Sequence, residues 1–158
     1  IGFCLVGSEM CIRDSRPMPP EVRIGANRVY AHDNTQNEIL AGLRRGHCFV
    51  TSGAEISFTA ETVDAKASMG DLVKPGQLKL KMGWSVGLNG FDPFELEAVL
   101  IKNNETLGRW SCGDHEDSEF TTISEEADWF ILELRDQRGE LHALSNPIFV
   151  GQQVGTWR

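Results

Sequence analysis

Residues 35–53, TQNEILAGLRRGHCFVTSG, hold the change of periodicity that decides the fold. Thr35 followed three residues later by Glu38 makes a capping box, in which each side chain satisfies an orphan amide of the other's backbone. Ile39, Leu40 and Leu43 fall on one face of the helix so begun, while Gln36, Asn37 and Arg44 point outward. Arg44 and Arg45 complement the negative end of the helix dipole, and Gly46 can take the left-handed conformation that closes a helix. These signals predict a helix over about 36–45. From His47 the period becomes two, and Cys48 to Thr51 reads as a strand ending at Ser52-Gly53.

Downstream, the chain keeps to the strand period. Ile56 to Ala60 alternates, and Leu78, Leu80, Met82, Trp84 and Val86 alternate over the longest stretch. Phe94 to Ile101 and Trp129 to Arg135 become apolar on both faces, as centrally placed strands do. Asn103-Asn104 suits a hairpin turn because Asn tolerates positive φ. Met69-Gly70-Asp71 and Pro75-Gly76 read as turns, Gly87 to Pro93 as a loop, and Gly113 to Glu119 as an acidic loop. Thr106 to Ser111, Phe120 to Ser124 and Leu141 to Val150 complete the set. About eight strands behind one short helix predict a mainly β fold, an immunoglobulin-like antiparallel β-sandwich. A small barrel is the alternative that periodicity leaves open.

Upstream of the helix the pattern is weaker. Leu5 to Asp14 resembles, residue for residue, the translation of a transposase sequencing adapter, with Cys4 and Ser15 on partial codons. Residues 1–15 are therefore expected to be artefactual and are set apart from the fold. Arg16 to Pro20 (RPMPP) is extended, because Pro fixes φ and pushes its predecessor out of the α region. Val22, Ile24 and Val29 to Ala31 give a short strand or extended approach, and His32-Asp33-Asn34 a polar turn. The expected organisation is a connector at 16–34, a helix-plus-sandwich domain at 35–151 and a tail at 152–158.

The formal charge of −8 argues against nucleic acid, which needs clustered Lys and Arg to neutralise phosphate. No apolar run approaches the roughly 20 residues of a membrane span. Compartment stays open between cytoplasmic and exported. Apart from Cys4 and Cys11 in the first fifteen residues, only Cys48 and Cys112 remain, too few for a disulfide framework or a zinc spacing. They could pair across a sandwich; buried free thiols are the preferred reading. His32-Asp33 and Asp114-His115-Glu116-Asp117 are ligand-like clusters in loops, without a third converging segment. Ser52-Gly53 lacks the nucleophile elbow. Trp84, Trp110 and Trp129 sit in strands, where packing is the plainer role. The residues alone therefore show no active site.

Several pieces, in this order, resemble the C-terminal part of PHP-domain metallohydrolases of the carbaryl-hydrolase-like (CehA/McbA) group. They are Asn27-Arg28-Val29-Tyr30, Glu38-Ile39-Leu40-Ala41-Gly42-Leu43-Arg44-Arg45-Gly46, Phe49-Val50-Thr51-Ser52-Gly53, Met69-Gly70-Asp71 and Leu144-Ser145-Asn146-Pro147-Ile148-Phe149-Val150. The resemblance touches most of 25–150, and departs from the usual pattern at Ala54, where the family often has Pro. It implies a parent enzyme that hydrolyses phosphoester, ester or amide-like bonds with a divalent metal, whose ligands would lie upstream of Arg16. The 158-residue chain is then a non-catalytic accessory domain without a cofactor of its own, its partner the missing upstream catalytic domain. The resemblance also implies that Arg28, Tyr30 and His32 edge the substrate cleft. A stand-alone sandwich that binds carbohydrate or protein is the alternative, marked by exposed Trp84 or Trp110 on a flat face. A purely structural interdomain or dimerisation module would show an apolar face around Ile24 to Tyr30.

Overall fold

The computed structural model describes residues 25–85, 95–113 and 116–151. The adapter-like segment, the proline-rich stretch, the loop expected at 87–93 and the tail lie outside them, as do Asp114 and His115 of the acidic cluster. Twelve strands and one α-helix are present among the described residues. They form a two-sheet β-sandwich, mainly β and almost wholly antiparallel.

β1 (Ala26–Val29) precedes α1 (Gln36–Arg45) and pairs along its whole length with β2 (Cys48–Thr51). A strand thus lies within the stretch expected to be a connector. The helix has the predicted bounds. Thr35 is its N-cap, its hydroxyl accepting from the Glu38 amide at 3.4 Å. At the other end Gly46, at φ 76°, donates to the Leu43 carbonyl and His47 to that of Gly42, each at 3.0 Å. That pair of bonds is the Schellman closure. Gly42 is the helix's buried residue: a Cβ there would lie 2.7 Å from Val29 Cγ1 and 2.8 Å from the Tyr30 carbonyl oxygen. Its missing side chain lets α1 lie directly on β1.

β3 (Glu55–Glu61), β4 (Lys66–Ser68), β6 (Gly76–Ser85) and β9 (Asp117–Ser124) make the four-stranded sheet, in the order β4-β3-β6-β9. The remaining strands make the eight-stranded sheet around β10 (Trp129–Asp136). β7 (Leu96–Lys102) flanks one side of β10 and carries β8 (Glu105–Ser111) beyond it. On the other side lie β11 (Leu141–Ser145) and β12 (Ile148–Val150), end to end. β11 pairs onward with β2, and β12 with β5 (Leu72–Val73), the one parallel pairing. What reads in sequence as a single strand over 141–150 is therefore broken at Asn146-Pro147. The turn read at Met69-Gly70-Asp71 is present, with a short strand on either side of it, and β9 starts inside the expected acidic loop.

The core is the space between the sheets. Ile56, Phe58, Leu78, Leu80, Met82 and Trp84 meet Phe49, Leu96, Leu100, Phe130, Leu132, Leu134 and Ile148, all at most 5 % exposed. The outer faces differ. On the small sheet Glu61, Lys66, Lys79, Lys81 and Glu119 form a ladder of ion pairs, Lys81 reaching Glu61 at 2.9 Å, with Ile123 at its edge. On the large sheet the outward positions include Val50, Leu144, Ile131, Trp129, Phe149 and Leu72, beside the ion pairs Arg135–Glu133 and Arg109–Glu97.

The break in the β11–β12 column is filled by two turns. Asn146 donates from Nδ2 to the Gly46 carbonyl at 2.9 Å and to Cys48 Sγ at 3.1 Å, and its amide reaches the Cys48 carbonyl at 3.3 Å. Gly70 donates to the Pro147 carbonyl at 2.8 Å. His47 Nε2 meets Asp71 Oδ1 at 2.8 Å, linking the residue before β2 to the residue before β5. Gly46 and Gly70 touch backbone to backbone: a Cβ on Gly70 would lie 2.3 Å from the Arg45 carbonyl oxygen. Gly139, at a similar φ of 82°, has open space around its Cα. Gly139→Ala is therefore expected to cost only the left-handed strain, about 1 kcal/mol, and Gly70→Ala about 3 kcal/mol or more. Urea midpoints of the two variants measure the difference; equal losses would remove the close contact as a constraint.

A second network ties the β7–β8 hairpin, with Asn103 and Asn104 at φ 49° and 72°, to the turn before β10. Asp128 accepts from Asn103 Nδ2 at 2.7 Å and the Glu125 amide at 2.7 Å, and pairs with Lys102 at 2.8 Å. Burial alone would raise its carboxyl, but Lys102, the Glu125 amide and Asn103 together hold it below the usual range. A depressed folded pKa stabilises above the unfolded value near 4 and is lost as pH falls through the folded one. Asp128→Asn is accordingly expected to destabilise at pH 7 and to lose its penalty progressively below about pH 4. Paired urea titrations at the two pH values check this.

Candidate functional site

The residues singled out in sequence lie at the outer edge of β1 and in the turn that leads to α1. A shallow depression of about 560 Å³ opens there, lined by Asn27, Arg28, Val29, Ala31, Asp33, Asn34 and Ile39. β1 is an edge strand, so this rim faces water, and the helix floor is supplied by Ile39 because Gly42 brings α1 down onto the strand. The Asp33 carboxylate accepts the Thr35 amide at 2.9 Å, and its hydrogen bonding to Thr35 holds it below the usual carboxylate range. This fixes the turn and pre-sets the helix start.

Arg28 lines the depression and is exposed. Tyr30 does not line it. Its amide donates to the His47 carbonyl at 2.8 Å, its hydroxyl donates to the Ile56 carbonyl at 2.7 Å, and its ring tilts over Phe49 at 5.9 Å. Burial first, and the Glu55 charge second, push the phenol above its ordinary value. Tyr30 is thus a strut from the large sheet to the first strand of the small one. His32 is exposed in the turn beyond it. The three residues follow one another along the edge without converging.

A different group converges at the far end of the same sheet. Ser52 Oγ lies 3.3 Å from His142 Nδ1, and His142 Nε2 lies 3.5 Å from Asp136 Oδ2. Asp136, Glu140 and His142 form a set whose ligand atoms all lie within 4.8 Å of one another. No sequence signal exposed this group, because Ser52 and His142 stand 90 residues apart. Among the described residues His32 and Asp33 meet no third metal ligand, and Asp33 accepts the Thr35 amide.

Of the tryptophans, Trp84 is buried in the core, Trp110 stands edge-on to Phe120 at 6.3 Å, and Trp129 is half-buried. Among the described residues they form no flat exposed platform. Cys48 and Cys112 are free thiols, and burial pushes Cys112 up to about 12. Among the described residues no helix is long and apolar enough to cross a membrane. Compared with known proteins, the chain matches no family model and no curated protein.

Tyr30→Phe is expected to cost about 1 kcal/mol, the worth of one hydrogen bond across the sheets. Arg28→Ala, on the exposed edge, should stay within about 0.5 kcal/mol of the parent. Chemical denaturation distinguishes the strut from the surface residue, and equal effects would remove that distinction.

Proposed function

We propose that this chain is the β-sandwich accessory domain that follows the catalytic barrel in a PHP-type metal-dependent hydrolase of the carbaryl-hydrolase-like group. The parent would cleave phosphoester, ester or amide-like bonds; the sandwich itself performs no chemistry. The observation that carries the reading is the meeting of three distant pieces of the resemblance. Leu43 to Gly46, Met69 to Asp71 and Ser145 to Pro147 are joined by hydrogen bonds at one break in the sheet. Pieces that must fit one another have a common structural reason to occur together.

An exposed apolar region beside the helix supports a covered side. Leu40 and Leu43 on α1, and Val50, Leu72 and Phe149 on the large sheet, keep 36–48 % of their surface exposed. The opposite sheet presents its lysine and glutamate ladder instead. A catalytic domain joined through β1 would cover the apolar side, since sizeable apolar patches commonly mark such contacts. The same face would serve a stand-alone protein-binding module. A carbohydrate platform has less support, given the packed tryptophans.

The test restores the coding sequence upstream of Arg16 and assays the longer protein with p-nitrophenyl phosphoesters and esters, with and without divalent metal. Metal-dependent hydrolysis there, and none by the 158-residue chain, is the expected result. Val50→Asp with Phe149→Asp should leave the isolated sandwich folded and make the junction in the longer protein more sensitive to limited proteolysis. An upstream region without hydrolase activity, or turnover by the short chain, would overturn the proposal.

A further inference from the structure

The hairpin between β10 and β11 presents three potential ligands on one side. Asp136 Oδ1 accepts the amides of Arg138 at 2.9 Å and Glu140 at 2.8 Å, so the carboxylate is locked with Oδ2 turned to His142. The His142 side chain is 13 % exposed, and its ring is held from behind, Nδ1 lying 3.3 Å from Ser52 Oγ on the β2–β3 connection. Nε2 lies 3.5 Å from Asp136 Oδ2, and the ligand atoms of Asp136, Glu140 and His142 are all within 4.8 Å of one another. One ring nitrogen on an outer hydroxyl and the other on the ligand set is how a metal-binding histidine is oriented. From these positions we infer that Asp136, Glu140 and His142 form a binding site for a zinc-class divalent ion.

The spacing suits such an ion. Ligands at about 2.0–2.2 Å from a tetrahedral centre stand roughly 3.3–3.5 Å from one another. His142 Nε2 and Asp136 Oδ2 already have that separation, at 3.5 Å. Glu140 is exposed, and its ligand atom lies within 4.8 Å of the other two. One imidazole with two carboxylates selects zinc, cobalt or nickel over calcium and magnesium, which take oxygen ligands throughout. Three protein ligands leave one position for water or for a group from a neighbouring surface. Through Ser52 the ion would also pin the hairpin to the β2–β3 connection. The site is independent of the hydrolase reading, because it uses no upstream residue.

Calorimetric titration of the full chain with Zn²⁺, and its spectrum with Co²⁺, test the inference. One equivalent of Zn²⁺ should bind, with Ca²⁺ giving no heat, and Co²⁺ should show tetrahedral d–d bands without thiolate charge transfer. Glu140→Gln, whose side chain makes none of the hairpin's hydrogen bonds described above, should weaken Zn²⁺ binding by about ten-fold or more. His142→Gln should abolish it. Unchanged affinity in Glu140→Gln, no one-to-one binding in the parent chain, or a cobalt–thiolate band placing the ion on cysteines would each overturn the site.

Discussion

The large sheet depends on a break. A continuous strand over 141–150 would have to choose between β2 and β5 as its next neighbour, since both lie on the same side. Asn146-Pro147 resolves this by ending one ladder and starting another. Proline cannot donate to a ladder, so it is tolerated where pairing is interrupted. The gap would leave backbone polar groups unsatisfied in a half-buried place, at about 1–3 kcal/mol each. Gly70 donates its amide to the Pro147 carbonyl, the Asn146 amide goes to the Cys48 carbonyl, and the Gly46 carbonyl accepts the Asn146 side chain. Only glycine fits at both turn positions: each has positive φ, and each would drive a side chain into the other's backbone.

Asn146 is what makes the three segments one unit. Its amide continues the ladder toward Cys48, while its side chain reaches past β2 to the helix cap. The same side chain rests on Cys48 Sγ, where burial raises the thiol and the Asn146 contact works against that rise. Aspartate could accept but not donate, and would place a charge against the Gly46 carbonyl. The preference for asparagine here is therefore one of donor chemistry, separate from its tolerance of turns.

How much of this was legible follows from range. The helix was readable to its ends because Thr35, Glu38, Arg44, Arg45 and Gly46 act within one turn of themselves. The Asn103-Asn104 hairpin was readable for the same reason. The break at Asn146-Pro147 was not, because both halves alternate like strand and only distant glycines reveal that they have different neighbours. β4 and β5 are too short to show a period. Tyr30 read as a cleft residue from resemblance, and nothing near it in sequence announces that Ile56 takes its hydroxyl. The His142 group was hidden more completely, since Asp136 and Glu140 look like ordinary turn residues and Ser52 like a strand end.

The helix shows how the break reaches the surface. Isolated helices shorter than about 12–15 residues are marginal in water, and α1 has 10 residues and buries little beyond Gly42. Burial therefore cannot be what holds it. Its N-terminus is fixed by Thr35 and Asp33, and its C-terminus by the Schellman bonds and by Asn146 on Gly46. Held at both ends, the helix can leave Leu40 and Leu43 facing outward on the same side as Val50. A helix that owed its stability to burying those leucines would have turned them inward. Because the break carries the helix instead, its apolar flank remains available to another surface.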